Sequence, residues 1–204
     1  MALTIRPADI IKAKVIDYLI ENYGDVIIGD EVMYGSNHKI VDLLALFKGE
    51  TYAIEIKSNK DDLRRLPEQI TEYSKIFDHT LVFTTVEHLA KVQGLAKTKV
   101  SIFEVSDDKV KGRLTTRRNC ILKSEMLATM NSAFIRKRLN ISNAKNSDSI
   151  RKRAMKCKKE YIHSLLYSYF LEKLSAPYML FLNERSERTE IDDISILSNR
   201  LIVD

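Results

Sequence analysis

The sequence predicts an α/β fold: a mixed β-sheet flanked by helices, followed by a basic α-helical C-terminal region. Three observations carry this. Up to Val105 the periodicity runs helix, three strands, helix, strand, helix, strand, the order of a mixed sheet covered on both faces. Residues 39–57 hold two apolar runs around Lys48-Gly49, short enough and Gly-bounded enough to be buried strands and not a helix. Charge is segregated as well: residues 109–159 carry sixteen Lys or Arg against Glu125 and Asp148, a net +14. The whole chain is +5, so the remainder is −9. A core over 1–108 and a basic, mainly helical region over 109–204 are expected.

Composition narrows the class. A chain of 204 residues with 45% hydrophobic content can bury one core plus an appendage. No apolar run approaches the ~18 residues of a membrane span, and residues 1–9 lack the pattern of a signal peptide. No membrane partner is expected. Cys120 and Cys157 lie in basic surroundings without metal-ligand neighbours and read as free thiols of a reducing cytoplasm. No zinc pattern, P-loop or dinucleotide motif is present.

The elements follow in order. Residues 8–22 read as an amphipathic helix capped by Asp9, with Ile11, Val15, Tyr18 and Leu19 at helical spacing and Gly24 beyond its end. Val26–Tyr34 is a strand, followed by a turn at Gly35-Ser36-Asn37. Val41–Phe47 and Glu50–Lys57 form a hairpin. Ser58–Asp62 is a polar linker, and a helix then runs to about Phe77 with Pro67 in its first turn, where proline is tolerated. Thr80–Thr85 is a strand. Glu87–Lys97 is a helix with Leu89, Val92 and Leu95 inward, and Val100–Val105 is a strand. Helices are expected over 124–139 and 150–174, joined by the polar stretch Asn140–Ser149. His38, His79 and His88 read as structural or solvated.

The hairpin raises an electrostatic question. If Lys48-Gly49 is a two-residue loop, Phe47 faces Glu50, Leu44 faces Ala53 and Asp42 faces Glu55. Opposed residues hold their Cβ atoms about 4.5–5.5 Å apart, and like charges there are unfavourable. Val41, Leu43, Ala45 and Phe47 share one face with Tyr52, Ile54 and Ile56; Leu44 and Leu46 share the other with Ala53. The acids therefore end a hairpin that is buried on both sides, where unpaired charge is costly. A divalent cation is the natural compensation. Lys57, two residues past Glu55, joins the same face.

Asp42, twelve intervening residues, then Glu55-Ile56-Lys57 resembles the signature of the PD-(D/E)XK, or restriction-endonuclease-like, nuclease superfamily. Val41 stands in place of the name-giving proline. Gln69-Ile70-Thr71-Glu72-Tyr73 resembles the Gln-x-x-x-Tyr motif of the RecB-like members. Residues 63–78 are similar to a group of small bacterial and phage proteins in that superfamily. The resemblance covers about residues 6–105. It implies a restriction-endonuclease-like sheet and hydrolysis of DNA phosphodiester bonds with Mg²⁺ or Mn²⁺. It implies Asp42, Glu55, Lys57, Gln69 and Tyr73 as catalytic residues. Asp42, Glu55, the Ile56 carbonyl and a further acid, Glu31, would be metal ligands. Glu21 is the other acid in a region where members carry one, and reads as solvated.

The basic region supplies the polyanion partner. Six basic residues crowd Arg151–Lys159 with no acid between them, and Lys and Arg bind phosphates by displacing counterions. Arg151, Lys152, Arg153, Lys156, Lys158 and Lys159, with Arg64 and Arg65, are the expected nucleic-acid contacts. DNA is the expected substrate, RNA the alternative. The apolar stripe Tyr161, Leu165, Leu166, Tyr169, Phe170 and Leu174 must bury against the core or against a second copy, as a homodimer. The competing reading is a non-catalytic nucleic-acid-binding or regulatory protein on the same fold.

Overall fold

A computed structural model describes residues 6–96, 100–115 and 117–198. Lys97, the expected end of one helix, residues 1–5 of the segment read for a signal peptide, and residues 199–204 lie outside them. Six strands form one sheet in sequence order: β1 (Ile27–Tyr34), β2 (Lys39–Phe47), β3 (Glu50–Lys57), β4 (His79–Thr84), β5 (Val100–Val105) and β6 (Val110–Gly112). The first three are antiparallel, β3, β4 and β5 are parallel, and β6 returns antiparallel. The sheet is mixed, as the element order predicts. Strand β6 lies beyond the expected elements; three residues are too few to leave a periodic signal.

The β2–β3 turn has both central residues in the left-handed region, Lys48 at φ +49° and Gly49 at φ +77°. Two such residues suit the right-handed twist of the flanking strands, and this fixes the register. Phe47 pairs with Glu50 and Leu44 with Ala53.

Two apolar layers cover the sheet. On one face, Leu43, Ala45, Ile54, Leu81, Phe83 and Phe103 pack under α1 (Pro7–Asn22). On the other, Leu44, Leu46 and Ala53 pack under Tyr73 and Phe77. Helix α2 is Leu66–Tyr73, shorter than expected, because residues 74–76 tighten into turns before Phe77. Helix α3 (Val86–Ala96) buries Val92 and Ala96 and leaves Leu95 exposed, contrary to the helical-face expectation. Asp9 does not cap α1. It lies in the first turn and pairs with Arg6, while Pro7 opens the helix.

The alternation of β1 and β2 breaks opposite the acids. Val41, expected beside Leu43, packs on the other face with Val32 and Tyr34. Glu31, across from this point, takes φ +48°, a backbone uncommon outside glycine that ends regular pleating there.

The C-terminal region is divided more finely than periodicity suggests. Residues 124–139 split into α4 (Lys123–Thr129) and α5 (Ser132–Arg138), because Met130 is extended and Asn131 caps the next helix through the Ala133 N–H. The expected 150–174 helix is broken too. Helix α6 (Ser147–Ala154) carries an Asn146–Ser149 capping box. After a turn, α7 (Lys159–Glu184) continues ten residues past the expected end. Its stripe Leu165, Leu166, Tyr169, Phe170 and Leu174 buries in the core, not against a second copy. Tyr161 is the exception, at 50% exposure. Tyr178 and Phe181 belong to the opposite layer, so α7 crosses the edge strand β1. A Cβ on Gly29 of β1 would lie 2.5 Å from a Leu174 methyl, so glycine permits that approach. The final turns are α8 (Ile191–Ile194) and a 3₁₀ turn at Ser195–Leu197.

Candidate functional site

The β2–β3 register brings Asp42 alongside Glu55 at the carboxyl end of β3. Leu43 and Ile54 are the last paired residues; one step outward, Asp42 Oδ2 accepts the Ile56 N–H at 2.8 Å. Glu55 is 1% exposed and Lys57 8%. Strand alternation turns both to one side, and Lys57 Nζ donates to Glu55 Oε1 at 2.7 Å. Helix α2 lies over them. Gln69 Nε2 donates to the same Glu55 oxygen at 2.5 Å, and Gln69 Oε1 accepts from Lys57 Nζ at 3.1 Å. The Tyr73 hydroxyl donates to Glu55 Oε2. Gln69 and Tyr73 can both reach because residues four apart share a helix face. The five residues that carry the resemblance thus converge on one spot.

Electrostatics mark the spot. Burial, then the charge of Glu55, pushes the Asp42 carboxyl up to about 7, against the Ile56 N–H and the ammonium groups of Lys12 and Lys57. Burial and the two carboxylates also drive the Tyr73 phenol far above its ordinary range, so it stays a donor.

The other predicted residues have different surroundings. Glu31 lies on β1, where its charge acts on Arg6 at the start of α1. Among the described residues, no three His, Cys, Asp or Glu side chains approach closely enough to hold a metal ion. Ile56 is paired with Phe83 in the β3–β4 ladder. Arg64 and Arg65 are exposed just before α2, and Arg64 is held by Asp62. Glu21 is exposed. The six basics of 151–159 do not form one helical face: they turn the α6–α7 corner. Arg151 donates to the Leu127 and Met130 carbonyls, and Arg153 to those of Ser142 and Asn143. Lys152, Lys156, Lys158 and Lys159 are exposed.

Two residues near the acids lie outside the expected set. Lys12 of α1 donates to Asp30 of β1 at 2.6 Å, with both side chains buried. Burial lifts the Asp30 carboxyl to about 6 despite that partner. The sequence does carry a signal: Lys12 shares its helix stripe with Val15, Ile16 and Leu19, all buried. A charge at such a position calls for a buried partner.

Helices among the described residues are too short or too polar to cross a membrane. No curated protein matches the chain. Among solved structures, the SPO1766 protein of unknown function from Silicibacter pomeroyi aligns at 17% identity. The alignment covers 68% of this chain and 92% of that one at a TM-score of 0.48, too slight a likeness to carry an argument. A family model does match residues 1–198, and by that match the chain belongs to the family of Bacteriophage P4 protein cII.

Proposed function

We propose that this protein is a metal-dependent nuclease that hydrolyses phosphodiester bonds of DNA. The observation that supports this most is the convergence of Asp42, Glu55, Lys57, Gln69 and Tyr73, drawn from two strands and a helix, around one buried carboxylate. The residues fit a divalent cation. Asp42 is pushed up to about 7 because burial and Glu55 disfavour its charge, and a cation relieves both effects. Two protein carboxylates suffice, because Mg²⁺ keeps several waters and takes its remaining oxygens from substrate phosphate.

Asp42 and Glu55 would hold the ion, which supplies polarisation of the phosphate and a lowered pKa for the attacking water. Tyr73 and Gln69 fix Glu55 through both of its oxygens. Lys57 is held by Glu55 and Gln69 with its charge directed at the same spot, where it can stabilise negative charge developing on the phosphate.

The second reading is a non-catalytic nucleic-acid-binding or regulatory protein. It is favoured by the state of Glu55, whose two oxygens already accept three donors within the fold. Incubation of the full chain with supercoiled, linear and single-stranded DNA, in Mg²⁺, Mn²⁺ or chelator, decides between them. Cleavage that needs the metal and disappears in Lys57→Ala, with DNA affinity retained, is the expected result. An inert wild-type protein in both metals on all three substrates would favour the second reading.

A further inference from the structure

The α6–α7 corner combines charge with exposed apolar groups. Helix α6 buries Ile150 and Ala154, and α7 buries Ile162, Leu165 and Leu166. Between these anchors the chain turns outward, and two apolar side chains stay in solvent: Met155 at 41% and Tyr161 at 50% exposure. Tyr161 belongs by spacing to the α7 stripe, yet that stripe enters the core only from Ile162 onward. Four exposed lysines, 152, 156, 158 and 159, alternate with these groups over ten residues. Glu160 is the one acid in that stretch of sequence.

The corner is also bonded to its surroundings. Arg151 and Arg153 are spent on backbone carbonyls of the preceding segments. Lys123 Nζ donates to the Met155 carbonyl at 2.6 Å and to that of Cys157 at 2.8 Å. Lys123 thus ties down the turn itself and the two arginines tie α6 to the segments before it, while the four lysines are exposed.

Exposed lysines alone suit any polyanion. Lysines interleaved with an exposed ring suit one kind best. Duplex DNA hides its base faces in the stack and offers a side-chain ring only phosphate, sugar and base edges. A single strand offers phosphates and open base faces together, and stacking on an aromatic side chain tolerates any sequence. We infer that the α6–α7 corner is a binding surface for single-stranded nucleic acid, with Lys152, Lys156, Lys158 and Lys159 on phosphates and Tyr161 stacked on a base. The inference rests on the nucleic-acid half of the function proposed above and not on its chemistry.

The test is carried out in chelator, so that cleavage plays no part. The full chain is titrated with a fluorescent oligothymidylate and with a hairpin duplex carrying the same number of phosphates. Tyr161→Ala should weaken oligothymidylate binding about tenfold, in the lower part of the range for one stacked base, and leave duplex binding unchanged. Tyr161→Phe should restore it. The chain has no tryptophan, so Tyr161→Trp adds a single reporter whose emission should be quenched by oligothymidylate and not by duplex.

Equal loss on both DNAs in Tyr161→Ala, or no loss on either, overturns the inference. Polyglutamate binding as tight as oligothymidylate overturns it too, and reassigns the corner to an acidic protein partner. Single-strand binding by a chain that cleaves nothing upholds the surface and removes only the nuclease reading.

Discussion

At the scale of single residues, the site is a problem of like charge in a confined place. Asp42 and Glu55 lie on adjacent strands near a buried end of the sheet, and the fold supplies Lys57, Gln69, Tyr73 and the Ile56 N–H to manage them. Glu55 takes most of these donors. Asp42 takes one backbone N–H and is pushed up to about 7. It is therefore the group with most to gain from an added cation. Millimolar Mn²⁺ or Mg²⁺ should raise the melting temperature, because an ion that binds only the folded site stabilises it by mass action. Asp42→Asn should keep or raise stability in chelator, since it removes the repelled charge, and should abolish the metal response. A melting curve indifferent to both ions in the wild-type protein would count against a metal site here. The meeting of Asp42, Glu55 and Lys57 was legible from sequence, because a two-residue turn fixes register and register fixes faces; that Gln69 and Tyr73 join them was what the family resemblance implied. Lys12 and Asp30 were legible only as anomalies. Each is a charge at an apolar position, and what answers each charge is another segment of chain.

At the scale of elements, the basic segment changes meaning once its corner is visible. On a continuous helix, Arg151, Lys152, Arg153 and Lys156 would be equivalent surface charges. In the fold, Arg151 holds the carbonyl ends of α4, and hydrogen bonds from a charged group to such acceptors contribute about 1.5–3 kcal/mol each. Replacing it therefore confounds binding with stability. Lys152, Lys156, Lys158 and Lys159 are the cleaner set. Changing these four to Ser should leave the melting temperature nearly unchanged, since exposed charges contribute little. It should flatten the dependence of log affinity on log salt by roughly two to four units, close to one for each phosphate that no longer meets a lysine. An unaltered slope would mean that the lysines touch no phosphate. Hydrophobic periodicity could not place this corner. The helical pattern runs unbroken from 150 to 174, and the interruption falls where the chain turns between α6 and α7.

At the scale of the whole molecule, the C-terminal helices are tied to the sheet by more than apolar contact. Asp78, at the start of β4, is 3% exposed. Its carboxylate accepts the Thr51 N–H and hydroxyl from β3, each at 2.9 Å, and meets His163 Nε2 of α7 at 2.9 Å. Burial works against its charge, but the bonds from His163 and Thr51 prevail and hold the carboxyl below its ordinary value of 3.8. The folded pKa is depressed, so this contribution to stability is complete above the unfolded value and is lost as pH falls through the folded one. Urea midpoints should therefore decline below about pH 4, as expected for a depressed carboxyl. Asp78→Asn should start less stable at neutral pH and decline less over that range. An equally steep acid decline in the variant would mean that other carboxylates govern it.

Sequence by itself determined the succession of helices and strands up to Val105, the hairpin register with Asp42, Glu55 and Lys57, the shared helix face of Gln69 and Tyr73, and the segregation of charge. These follow from local rules: turn residues with left-handed backbone, alternation of two along a strand, and residues four apart on a helix. Tertiary structure alone decided the rest. It selected the core, not a second copy, as the partner of the α7 stripe, because α7 can cross β1 where Gly29 offers no side chain. It turned Val41 away from Leu43 where Glu31 breaks the pleat. It divided the basic run into arginines bonded to backbone carbonyls of earlier segments and four exposed lysines. Each of these outcomes depends on contacts between segments far apart in the chain, and a periodic pattern carries no record of which distant surface will meet it.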